Sequence, residues 1–306
     1  MKFSYFYIPF VILLAVPCVF IFMGYAWDLN QLASHSSFWS YITATANTKS
    51  AMVLSAIFLL VLLSFYYRNL PLSIAITVYC AFAVAGTQLI KEGLKATFQE
   101  PRPFVYQIAY RLTDIGDKHF VANFDQQYKA ELAAKGVQVT TEETPEAAAA
   151  NESAQSTTQG IINYYYDLSK EGKEAFIKYF ESTYMVGDGE SARRNALNHL
   201  VAESPYSFPS GHSIFAATWV MIFFVMAYAA KKLTFWLVAF GVLGWGICVE
   251  VSRIILGYHY AHDVLASNMI AGVFVFATFW LMRVVYKIAL KRMAPEQAAE
   301  SAAKAE

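Results

Sequence analysis

Apolar residues gather in six runs along the chain, at roughly 8–26, 51–67, 71–90, 213–230, 234–252 and 264–282. A helix needs about 20 apolar residues to cross the hydrocarbon of a bilayer. The pattern therefore predicts an all-α integral membrane protein, a six-transmembrane helix bundle, rather than a soluble domain. The first run follows Lys2 and is succeeded by the bulky Tyr25 and Trp27, with no small-residue cleavage pattern, so it is expected to be an uncleaved anchor. Six crossings put both termini on one side. Lys2, Arg68, Lys231, Lys232, Arg283, Lys287, Lys291 and Arg292 all fall there, and that excess of cations marks the side as cytoplasmic. Trp27, Trp39, Tyr41, Tyr66 and Tyr67 flank the runs as interfacial anchors would. The connections 27–50, 91–212 and 253–263 lie on the opposite side.

Residues 104–205 interrupt the apolar pattern for longer than a simple loop should, which predicts an extracytoplasmic insertion, part helical and part flexible, between spans three and four. The chain thus divides into 1–103, 104–205 and 206–306. Within the insertion, 140–160 is rich in Glu, Ala, Ser and Thr and reads as a flexible tract, while 124–135 and 166–184 have helical composition. Charge sharpens this division. The whole chain is formally neutral, yet 104–205 holds nine Lys or Arg against fifteen Asp or Glu, and the remainder fourteen against eight. Neutrality speaks against a nucleic-acid partner. The acidic insertion is either a solvated cap or a lid that filters substrates. Cys18, Cys80 and Cys248 lie in apolar runs and are expected to pack as small hydrophobes.

Three polar motifs stand at the membrane border on the insertion side. Lys95 is followed after six residues by Arg102 and Pro103. A point charge and a planar fork suit a tetrahedral dianion, although two cations at a membrane edge also serve as snorkelling anchors. Pro101 and Pro103 bracket Arg102 and restrict its backbone. Ser210 and Gly211, within Pro209-Ser-Gly-His212, open the fourth run, where unpaired N–H groups and the helix dipole attract anions. An ordinary N-cap turn explains Ser and Gly there equally well, but leaves His212 without a role. Ser252 and Arg253 precede His259 and Asp263, which are four residues apart and share a helical face. That pair is either a helix ion pair or an imidazole whose free nitrogen is aimed by a carboxylate. Six spans bring all three motifs to one face, and charges at such borders are costly unless used.

Taken together, the motifs resemble those of the type 2 phosphatidic acid phosphatase superfamily: Lys with Arg-Pro seven residues on, Pro-Ser-Gly-His, and Ser-Arg with His and Asp following. The resemblance implies a membrane lipid phosphatase in which His259 is the nucleophile, Asp263 orients it and His212 protonates the leaving oxygen. It implies that Lys95, Arg102, Ser210, Gly211 and Arg253 hold the phosphoryl oxygens. No cofactor and no metal is implied, and no obligate protein partner. The expected partners are the bilayer and a lipid phosphate such as phosphatidylglycerophosphate, phosphatidic acid or undecaprenyl pyrophosphate. The implied setting is a bacterial inner membrane, with the site on the periplasmic face and the termini in the cytoplasm. A lipid phosphotransferase using the same intermediate, or a noncatalytic anion-binding transport protein, are the competing readings. Ala261 and His262 depart from the family's usual residues before Asp263, and His262 is expected to be interfacial. Glu250, three residues before Arg253, is expected to support that arginine.

Overall fold

The structure, a computed structural model, describes residues 4–29, 36–135, 157–184 and 206–303. Eleven helices follow in order among them: α1 Ser4–Phe22, α2 Ser36–Ala44, α3 Thr48–Ser64, α4 Leu70–Phe98, α5 Pro103–Ile115, α6 Phe120–Ala134, α7 Thr158–Asp167, α8 Lys170–Tyr184, α9 Gly211–Ala230, α10 Leu233–Ile255 and α11 Ala261–Ala303. No strand occurs among the described residues. By length and hydropathy, Leu70–Ile115 (α4 with α5), α9, α10 and Ala261–Ile288 are long enough to cross a bilayer. The α2–α3 pair, bent by 67°, makes a fifth if it counts as one span, and Phe6–Phe22 is a shorter apolar helix. Four or five long spans therefore stand where six were expected. The first is shorter because α1 ends at Phe22, just before Gly24 takes a left-handed φ of 60°.

Local chemistry sets the helix ends. Asn47, Asn69 and Ser210 cap α3, α4 and α9 through side-chain oxygens that accept backbone N–H groups of the first turn. Helix α9 is apolar all round and buried along most of its length, so it forms the axis of the bundle. Helices α1, α4, α10 and α11 pack around it. A bilayer gives little hydrophobic drive between helices, so close packing and hydrogen bonds specify the neighbours. Tyr79 Oη donates to Val275 O, Thr218 Oγ1 to Thr87 Oγ1, and Asn268 Nδ2 to Leu13 O. The outward faces remain apolar, with Val53, Leu60, Leu89, Leu237 and Val273 exposed as a lipid-facing surface requires.

A second cluster lies at one end of the bundle. Phe104, Ile108 and Leu112 of α5, Phe120 and Phe124 of α6, Ile161 and Tyr165 of α7, and Phe176, Ile177 and Phe180 of α8 bury one another. Full burial of one such phenylalanine is worth roughly 1.5–3 kcal/mol. Helix α6 takes all but the last residue of the first segment whose composition predicted helix; the second, 166–184, is divided, since 166–167 end α7, Leu168 and Ser169 lie outside any helix and α8 takes the rest. Helix α7 begins inside the stretch expected to be flexible, and most of that stretch lies outside the described residues. Trp27, Leu256 and Tyr258 join this cluster to the bundle. Gly257 makes the join possible: its φ is 71°, and a Cβ there would stand 2.3 Å from the Trp27 ring.

Candidate active site

The site is built where α4 and α10 end and α9 and α11 begin. Helix α4 runs past the third apolar run to Phe98, so Lys95 sits in its last turn, and Gln99 closes it in the left-handed conformation. Arg102 then stands just before α5, held between two prolines, and both cations are buried. Lys95 Nζ donates to Tyr206 O at 2.5 Å. Arg102 donates its backbone N–H to Tyr166 Oη at 3.0 Å, and its Nη1 to Tyr258 O at 2.8 Å. Burial pushes the Tyr166 phenol up to about 12, so that hydroxyl stays protonated at neutral pH.

His259 occupies the turn between α10 and α11. Its backbone N–H donates to Arg253 O at 3.1 Å, which fixes the turn. Nδ1 lies 3.4 Å from Asp263 Oδ2 and 3.4 Å from Ser207 Oγ. Asp263 Oδ2 also accepts the Ser207 hydroxyl at 2.5 Å and the Tyr260 N–H at 2.9 Å. Ser207 thus braces the carboxylate and the imidazole together, while its N–H donates to Glu100 O at 2.7 Å. With its proton on Nδ1, toward this oxygen-rich side, the ring leaves Nε2 unprotonated on the other. Nε2 lies 3.5 Å from Arg102 Nη1. Burial, and then the charges of Arg102, Arg253 and Lys95, hold the imidazole well below its usual range. A neutral ring is the form a nucleophile needs.

A cavity of about 530 Å³ has His259 in its wall. Lys91, Lys95, Arg102, Gly211, His212 and His259 line its polar side; Ala51, Met52, Val84 and Phe215 line an apolar flank between α3, α4 and α9. Gly211 is the first residue of α9, and a Cβ there would come 3.1 Å from Lys91 Cδ, so glycine keeps backbone and lysine close. Of the residues expected at the site, Lys95, Arg102, Gly211, His212 and His259 share the cavity wall. Ser210, Arg253 and Asp263 are buried behind it. Ser210 Oγ caps α9 by accepting the Ser213 N–H, and Arg253 stacks on the Tyr258 ring at 3.9 Å while donating to Thr43 Oγ1 at 2.6 Å.

The expected support of Arg253 by Glu250 is not what the geometry shows. No ion pair joins them among the described residues; Glu250 is fully buried beside Asn268 of α11. The reason is reach: the long Arg253 side chain runs to α2 and to the Tyr258 ring rather than back along its own helix. His262 points away from the cavity toward Glu100. Sequence reading missed Ser207, Lys91 and Tyr166. Lys91 did carry a signal, since it precedes Lys95 by one helical turn.

The sequence pattern described as the PAP2 superfamily matches residues 76–287. Phosphatidylglycerophosphatase B of Haemophilus influenzae is 26% identical over 287 residues, covering 93% of this chain and 94% of that protein. Phosphatidylglycerophosphatase B of Escherichia coli K12 is 23% identical over 120 residues, 39% of this chain and 44% of that protein. The Shigella flexneri protein of the same name matches to the same extent.

Proposed function

Because the chain belongs to the PAP2 superfamily of membrane phosphatases, we propose that it hydrolyses lipid phosphates or pyrophosphates through a phosphohistidine on His259. The observation that carries this reading is the His259 ring: its Nδ1 is braced by Ser207 and Asp263, its Nε2 lies 3.5 Å from Arg102 Nη1, and both residues line one cavity with His212.

In the first step the Nε2 lone pair attacks phosphorus, the bond from phosphorus to the lipid oxygen breaks, and His212 gives that oxygen its proton. Lys95, Arg102 and the backbone of Gly211 hold the three equatorial oxygens, where charge is spread in the transition state. Ser210 and Arg253 fix α9 and the Tyr258 turn behind them. Asp263 stabilises the positive charge that the imidazole acquires. In the second step His212 takes a proton from water, the oxygen bonds to phosphorus, the Nε2–P bond breaks, and inorganic phosphate leaves. The dense cationic wall allows this chemistry without a metal ion.

The apolar flank between α3 and α4 suits the chain of a lipid bound head-first, with phosphatidylglycerophosphate, phosphatidic acid and undecaprenyl pyrophosphate as candidate substrates. Counting α1 and the bent α2–α3 pair as crossings gives six, since a helix of roughly 17–25 residues can span. Arg68, Lys231, Lys232, Arg283 and Lys287 then lie at the end away from the site, so the cation rule puts that end and the termini in the cytoplasm and the site on the periplasmic face of an inner membrane. Phosphate release from a panel of detergent-solubilised lipid phosphates tests the reading. Wild type should release phosphate and His259→Ala should not; equal release by both would overturn it.

A further inference from the structure

Asp263 presents its two oxygens to different surroundings. Oδ2 belongs to the reacting imidazole, through Ser207, Tyr260 and His259. Oδ1 accepts no hydrogen bond, although the residue is wholly buried. It faces the other way, 3.3 Å from His262 Nε2, and that same nitrogen lies 2.8 Å from Glu100 Oε1. The three atoms lie within 4.8 Å of one another. A single ring nitrogen pressed between two carboxylate oxygens calls for a positive charge at that point.

We propose that Glu100, His262 and Asp263 form a three-ligand site for a divalent metal of the zinc class, and that filling it inhibits the phosphatase. One imidazole and two carboxylates match zinc, whereas magnesium and calcium take oxygen ligands alone. At zinc's bond lengths of about 2.0–2.2 Å, tetrahedral ligand atoms stand about 3.3 Å apart, so small side-chain shifts suffice. His262 is half-exposed, which gives the ion an entry path and leaves the fourth position to water. Its ring stacks on Tyr260 with centroids 5.1 Å apart, and the Glu100 carbonyl is tied to Ser207, so two of the three ligands are oriented from behind. A bound dication would draw the Asp263 carboxylate toward itself and weaken its hold on His259 Nδ1. No step of the reaction passes through this ion.

The inhibitory half rests on the phosphatase reading, and the binding half does not. Zinc is titrated into tag-free, full-length protein in detergent against a chromophoric chelator. Wild type should bind one zinc per chain, and His262→Ala and Glu100→Gln should each bind more than about tenfold more weakly. In the turnover assay zinc should inhibit wild type, with recovery on adding EDTA. His262→Ala, with metal-free turnover matching wild type, should resist. Unchanged zinc affinity in both variants would overturn the site, as would absence of stoichiometric binding, which would leave His262 a protonated bridge between two carboxylates. Equal inhibition of wild type and His262→Ala would overturn the inhibitory role and assign it to the cavity's histidines or the substrate phosphate. If no lipid phosphate is turned over, the chelator titration still decides whether the site exists.

Discussion

Around α9, apolar side chains point both into the bundle and out of it; around Phe120 and Phe176 they point mostly inward, with Glu171 and Lys178 of α8 exposed. The first pattern suits a lipid solvent, where hydrophobicity does not separate inside from outside and Thr87, Thr218, Tyr79 and Asn268 mark the contacts instead. The second is an amphipathic assembly driven by exclusion of water. The candidate site lies where the two meet. Buried cations there are surrounded by backbone carbonyls from the junction, at Tyr206 and Tyr258, and the cavity has one polar side and one apolar side. Charge is sustained at this seam because both environments contribute a wall.

The most severe way to break the seam is to remove the proposed nucleophile. His259→Ala should lower turnover by at least about 10⁴-fold while leaving the helical circular dichroism unchanged. Next is the bracing of the ring. Asp263→Asn should reduce kcat by about 10²–10⁴-fold, since the amide can place its N–H rather than an oxygen toward Nδ1. Ser207→Ala should cost about tenfold, the worth of one hydrogen bond to a charged group. A Ser207→Ala enzyme as active as wild type would show that the carboxylate needs no brace.

Removing a cation sharpens the electrostatic side of the comparison. Burial and Arg102 both hold the His259 imidazole down, so wild type should keep a neutral ring and stay active below the ordinary histidine value of about 6.5. Arg102→Gln removes the first of the charges that disfavour the imidazolium. The ring should then protonate at higher pH, and the acid limb of kcat/KM should move upward toward that ordinary value. A pH profile unchanged in shape would contradict the assigned cause.

The smallest effect on turnover is expected in the cap. Phe176→Ala empties the centre of its aromatic cluster and should destabilise α6–α8 by about 3–5 kcal/mol, seen as faster hydrogen exchange in those helices. Turnover should fall less than tenfold (roughly 1.4 kcal/mol), because Phe176 lies in the aromatic cluster and α7 meets the cradle through Tyr166, whose Oη accepts the Arg102 backbone N–H. Loss of activity equal to that of Asp263→Asn would mean that the cap takes part in the chemistry.

The sequence made the apolar runs, helices α6 and α8 in outline, and the cavity cluster of Lys95, Arg102, Gly211, His212 and His259 legible. Those features depend on local periodicity or on ordered short motifs. Ser207 was not legible, because a lone serine before a cis Phe208–Pro209 bond gains its place only when α11 arrives from over 50 residues later. The bend between α2 and α3 rests on a short turn at Thr45–Asn47 that composition does not mark. Glu250 was misjudged because helical spacing says which residues are neighbours, while side-chain length decides which of them meet.

Rapid quenching of the wild-type enzyme with a lipid phosphate labelled at phosphorus shows whether His259 carries the phosphoryl group. Label should appear on the peptide containing residue 259, stable in alkali, lost in acid, chased by water into inorganic phosphate, and missing from His259→Ala. Label on any other residue, or full turnover by an enzyme that never becomes labelled, would contradict that role.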